Sequence, residues 1–252
     1  MNTLKDQDVS SPPRKRGIVL LPNILTTAAL FIGFFSIISA IGQDYYSASI
    51  GIYIAMFLDG LDGRVARLLR VESDFGKEFD SLSDMLCFGI TPAIVIYQWA
   101  LSDLTYYGED LVRLGWVAAF IFTVCAACRL ARFNANHKIR DKKYFQGLPS
   151  PVAASCIAAL IWLSQAYPFP SLLVVIIAVV VPMILGAVMV SNIAYFSFKE
   201  FSLIERVPFG KFLLAPLLMA LIAINPPVIL LVMFLLYFFA SPVIKVIKRI
   251  KR

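Results

Sequence analysis

At 252 residues the chain is 60% hydrophobic and 15% charged, with a mean hydropathy of +0.80, well above the ~45–50% apolar share of a soluble domain. A soluble helical bundle is excluded by recurring apolar runs of about 18 or more residues, since a bilayer core ~30 Å thick takes about 20 helical residues to cross. The formal charge of +7 does not point to nucleic acid, because Lys and Arg fall in short clusters between apolar runs rather than along one face.

Residues 1–16, rich in Ser, Pro and charge, read as a disordered cytoplasmic tail. No cleavable signal is expected there: the next apolar run is too long for a signal core and lacks a small-residue cleavage site. A transmembrane domain over 17–247 and a basic cytoplasmic tail over 248–252 follow. The hydrophobic pattern predicts eight helices, at about 18–42, 45–70, 79–101, 112–134, 150–167, 170–193, 210–224 and 226–247. Asn225-Pro226-Pro227 supplies the turn between the last two. Every second connection is basic: Arg14 to Arg16, then Arg64, Arg67, Arg70 and Lys77, then Arg129 to Lys143, then Lys199, Arg206 and Lys211, and finally Lys245 to Arg252. Basic loops stay cytoplasmic, so both termini are expected inside.

Cys87, Cys125, Cys128 and Cys156 lie in or beside apolar stretches, which predicts buried free thiols rather than disulfides or a zinc site. Tyr45, Tyr46, Tyr106, Tyr107 and Trp116 read as anchors at the membrane boundary. Pro182 and Gly186 are expected to kink or pack the sixth helix.

The informative stretch runs from Asp59 to Asp84. Asp59 and Asp62 share a face near the inner end of the second helix, and Asp80 and Asp84 share one near the start of the third. The connection between them is short, so the helices are antiparallel neighbours and four carboxylates converge. An ionised Asp costs at least ~2.5–3.5 kcal/mol at the bilayer centre, so the group demands water, partners or metal. Hard oxygen ligands suit Mg²⁺, Mn²⁺ or Ca²⁺ rather than zinc. Two such ions about 3.5–4 Å apart clamp both oxygens of a phosphoryl displacement. Arg64, Arg67, Arg70 and Lys77 stand nearby to receive phosphate oxygens. Gly60, Gly63 and Ala66 leave a strip without side chains, which serves either a ligand lying on backbone or close helix packing; the aspartates beside it favour the ligand. The same aspartates suit a divalent-cation channel or transporter less well, because all four sit near one membrane face.

The run D-x-x-D-G-x-x-A-R, eight residues, then G-x-x-x-D-x-x-x-D, complete from Asp59 to Asp84, resembles the CDP-alcohol phosphotransferases. Leu21-Pro22-Asn23-Ile24-Leu25-Thr26, Arg129-Leu130-Ala131-Arg132-Phe133-Asn134 and Phe145-Gln146-Gly147-Leu148-Pro149-Ser150-Pro151 are similar to its bacterial membrane-integral phosphatidylserine synthase branch. The resemblance implies an all-α polytopic membrane bundle of about eight spans, in the inner membrane and working as a homodimer. It implies two divalent ions, Mg²⁺ or Mn²⁺, on Asp59, Asp62, Asp80 and Asp84, with Asp84 also the general base. It implies CDP-diacylglycerol contacts at Asn23, Thr26, Gly63, Ala66, Arg67 and Gly76, and acceptor or phosphate contacts at Arg129 and Arg132. The implied acceptor is L-serine; another alcohol such as glycerol 3-phosphate or inositol phosphate is the alternative. A single in-line displacement is expected, because the lone His137 lies in a basic loop and has no evident Ser or Asp partner.

Overall fold

The computed structural model describes residues 16–69, 71, 73–135, 144–196 and 209–250. Both expected tails up to residue 15 and beyond 250 lie outside the described residues. So do Arg70, the segment with His137, Lys138, Arg140, Lys142 and Lys143, and the segment with Lys199 and Arg206.

The helices are α1 (Arg16–Ile41), α2 (Tyr45–Leu69), α3 (Asp74–Met85), α4 (Thr91–Tyr107), α5 (Glu109–Ala135), α6 (Ser150–Ala166), α7 (Ser171–Val190), α8 (Phe209–Ile224) and α9 (Pro226–Ile250). A π-helical turn, Leu86–Ile90, joins α3 to α4 without a break, so the described helices make eight rods. Two short strands, β1 (Tyr144–Gln146) and β2 (Ala194–Phe196), pair antiparallel with Phe145 opposite Tyr195.

The all-α membrane class expected from composition is what forms. Leu20–Ile41, Asp74–Tyr107, Glu109–Ala135 and Ser171–Val190 are long and apolar enough to cross a bilayer; Ser150–Ala166 and Pro226–Ala240 are shorter apolar helices. The third rod departs most from expectation, starting at Asp74 rather than 79 and ending at Tyr107 rather than 101. Ser73 starts it early: its hydroxyl accepts the Gly76 N–H at 3.0 Å and caps the helix inside a polar stretch that carries no apolar period. Gly108, at φ +119, stops it.

Polar contacts gather the start of α1, the end of α2, the start of α3, the end of α5, the start of α6 and the end of α7 at one end of the bundle. At the other end, α1 turns into α2 through Gln43 at φ 64, and the Asp44 carboxylate accepts the Ser47 N–H at 3.0 Å as the α2 cap. The Ser47 hydroxyl first, and then this N–H, hold the Asp44 carboxyl below its usual range.

Small side chains let the rods approach closely. Gly51 of α2 faces Ser36 of α1, and a Cβ on Gly33 would lie 2.8 Å from Cys87 Sγ. Three side chains then bind the third rod to α1 carbonyls: Ser83 to Thr26 at 3.4 Å, Cys87 to Ala29 at 3.3 Å and Thr91 to Gly33 at 3.2 Å. Phe88, Phe122 and Ile52 fill the core among buried alanines. Pro182 and Gly186 are buried, and Gly186 packs against Cys125 of α5.

Two minor expectations need correcting. Cys87 and Cys156 are buried free thiols and Cys125 is half-buried, but Cys128 is turned to the outside of α5. Tyr46, Tyr106, Tyr107 and Trp116 are exposed as anchors should be, whereas the half-buried Tyr45 donates to the Gln98 carbonyl at 2.9 Å and joins α2 to α4.

Candidate active site

The end of α2 and the start of α3 bring three carboxylates together: one oxygen each from Asp59, Asp62 and Asp80 lies within 4.8 Å of the others. Asp62 is buried, and Asp59 and Asp80 are half-buried. Asp84 adjoins the group one turn deeper, its side chain beside those of Asp59 and Asp80. Its Oδ1 is buried and has no hydrogen-bond partner among the described residues. An orphaned carboxylate oxygen beside three convergent ones makes a set of hard donors that a cation would satisfy, because like charges at this range repel. The residues present therefore fit a divalent metal ion.

Thr26, on α1, is buried, and its hydroxyl lies 2.6 Å from Asp62 Oδ2 and 3.1 Å from the Pro22 carbonyl. It touches a carboxylate of the cluster and so stands behind it. Asn23, one turn earlier, faces the first turn of α3, where a Cβ on Gly76 would lie 3.3 Å from Asn23 Oδ1 and 3.0 Å from Ser73 Oγ. Gly60 and Gly63 meet nothing: a Cβ on either would have no neighbour within 4 Å. Packing among the described residues therefore does not account for these two glycines, and among those residues the strip they leave is open. Ala66 borders it half-buried, and Arg67 is exposed with its Nε donating to the Gly63 carbonyl at 2.9 Å.

The two arginines of α5 part company. Arg129 is buried, donates from Nη1 to Ser150 Oγ at 2.7 Å, and lies within electrostatic reach of Asp84. Arg132 turns to backbone. Its Nη1 donates to Val190 O and Asn192 Oδ1, and its Nη2 to the carbonyls of Gln146, Met189 and Ser191, at 3.0 to 3.4 Å. Nearby, Asn134 Nδ2 donates to Ser81 Oγ at 2.9 Å and ties the end of α5 to α3.

Sequence reasoning overlooked Ser150, Ser83 and Asn134. Ser150 and Asn134 stand inside stretches singled out above for their resemblance, which is the signal that marked them; a lone Ser in a helix gives none.

The CDP-alcohol phosphatidyltransferase family matches residues 19–188, which hold every candidate residue above. A CDP-diacylglycerol–serine O-phosphatidyltransferase of Helicobacter pylori is 36% identical over 183 residues, 73% of this chain and 74% of that protein. The Mycobacterium leprae protein of the same name is 38% identical over 167 residues, 63% of this chain and 53% of that protein. The Bacillus subtilis protein of that name is 32% identical over 140 residues, 56% of this chain and 74% of that protein. With the fold, the carboxylate cluster and the matched span agreeing, the chain belongs to the CDP-alcohol phosphatidyltransferase family and is a multi-pass membrane transferase.

Proposed function

We propose that the chain transfers the phosphatidyl group of CDP-diacylglycerol to the hydroxyl of L-serine, giving phosphatidylserine and CMP. The convergence of Asp59, Asp62 and Asp80 beside the unpartnered Asp84 oxygen carries this reading, and the names of the relatives support serine as acceptor. Asp59, Asp62, Asp80 and Asp84 hold two divalent ions, Mg²⁺ or Mn²⁺. Bound there, such ions supply neutralisation of pyrophosphate charge and of the departing phosphate oxygen.

The protein's own groups do the rest. The open strip of Gly63 and Ala66, with Arg67, Asn23, Thr26 and Gly76 around it, receives the cytidine diphosphate portion. Arg129 offers its guanidinium to an anionic group of the acceptor or lipid phosphate. The serine oxygen attacks the phosphorus bearing diacylglycerol as the bond to CMP breaks, and the hydroxyl proton passes to Asp84. Arg132, whose fork is occupied by five acceptors, holds the scaffold rather than the substrate. The whole of 17–247 acts as one transmembrane unit in the inner membrane, as a homodimer, with the site and both termini on the cytoplasmic side. Among the described residues, Arg64, Arg67, Lys77, Arg129 and Arg132 support that orientation, since they stand on the helix ends that bear or adjoin the carboxylates.

The test is incubation of purified protein with CDP-diacylglycerol, Mg²⁺ or Mn²⁺, and serine, glycerol 3-phosphate or inositol phosphate, with lipid products identified by mass. Phosphatidylserine and CMP in equal amounts are expected, and neither in excess EDTA. A lipid product only from a phosphorylated acceptor overturns serine. Asp84→Asn should lower turnover ~10²–10⁴-fold, the usual worth of a general base; near-normal turnover overturns that role.

A further inference from the structure

Arg129 and Arg132 stand one turn apart on α5 and grip the two ends of one short segment, Gln146 to Ser150. Arg132 reaches the Gln146 carbonyl at its start and the last carbonyls of α7 beyond. Gly147, at φ +78, lies so close to the Met189 carbonyl that no side chain fits between them. Its N–H donates to Ile193 O at 2.8 Å, and the Leu148 N–H donates to Val188 O at 3.3 Å. Pro149 then starts α6, its carbonyl accepting the Ala153 N–H at 3.1 Å. The next residue is Ser150, fully buried, with its hydroxyl delivered to Arg129 Nη1 at 2.7 Å.

We infer that Ser150 is a positioning residue: it fixes the plane of the Arg129 guanidinium toward the carboxylate cluster, on a foundation that Arg132 ties to the end of α7. A guanidinium is a rigid planar fork, so a bond that fixes one nitrogen fixes the direction of the others. Both its partner hydroxyl and the backbone beneath that hydroxyl are held from several sides, so the fork is set before substrate arrives, and little ordering remains to be done on binding. The inference rests on the reading that Arg129 receives an anionic group of a substrate.

The test compares Ser150→Ala, Ser150→Thr, Ser150→Val and Arg129→Ala, with the double variant Ser150→Ala/Arg129→Ala. Thr and Val share a shape and differ in the hydroxyl, so their comparison removes any steric cost. Loss of one hydrogen bond to a charged group predicts a fall in kcat/KM of about tenfold for Ser150→Ala. Thr should retain clearly more activity than Val at equal Tm. The double variant should be no worse than Arg129→Ala alone, because the hydroxyl acts only through that arginine. Additive losses, or a change in Tm with kcat/KM unaltered, overturn the positioning role. If Arg129→Ala leaves transfer intact, the reading of Arg129 itself fails; if Arg129→Ala is damaging and Ser150→Ala is silent, only the inference fails.

Discussion

Thr26 is expected near the nucleotide, and its hydroxyl also lies on Asp62, a buried carboxylate. A group one bond behind a ligand sets that ligand's direction, and losing it typically costs 10–100-fold in metal affinity. Thr26→Val should therefore weaken Mn²⁺ binding by about that factor in a calorimetric titration, whereas Thr26→Ser should keep most of it. Equal affinity in all three proteins would leave Thr26 without this role. The case shows what spacing conveys. Asp59, Asp62, Asp80 and Asp84 were legible as one group because helical periodicity alone puts them on facing sides. The roles of Arg129 and Arg132 were not, since two arginines in one motif look alike until folding puts α7 carbonyls beside one and a serine hydroxyl beside the other.

At the scale of elements, α2 ends in an open, glycine-bearing strip, and that strip separates ligand from packing. Ala in place of Gly raises helix propensity by roughly 1 kcal/mol. Nothing stands within 4 Å of the new methyl on Gly63, so no clash offsets the gain. Gly63→Ala should keep or raise Tm while increasing the KM for CDP-diacylglycerol several-fold in the lipid-transfer assay. An unchanged KM would mean that the strip faces only lipid or water. Helix limits were readable wherever apolar residues bounded them, as at α2, where 45–70 was expected and Tyr45–Leu69 formed. The first turns of α3 escaped notice because Ser73, a cap, opens them in a polar stretch. The β1–β2 ribbon escaped because it pairs three residues with three others about fifty positions away, too short for any alternation to register.

For the whole molecule, the proposed orientation, with eight rods among the described residues and one shared polar end, puts both chain termini on the same side. Tags at residues 1 and 252 should be cleaved together by protease added to inside-out vesicles and protected together in right-side-out ones. Cleavage of one tag in each preparation would mean an odd number of crossings. The eight rods among the described residues were legible because charge alternation and hydropathy mark the same boundaries; four of them are long and apolar enough to cross a bilayer.

The rod from Asp74 to Tyr107 is 34 residues long, more than a membrane asks for. The part beyond Met85 alone, at ~1.5 Å per residue, reaches roughly 33 Å and fills a ~30 Å hydrocarbon layer. In a bilayer centred on that part, Asp80 and Asp84 would stand near the depth of the phosphates of a lipid lying undisturbed in its leaflet. A donor anchored by two acyl chains need not be lifted out to react; it drifts sideways in two dimensions until its headgroup meets the carboxylates. Only the water-soluble acceptor has to climb down to meet it.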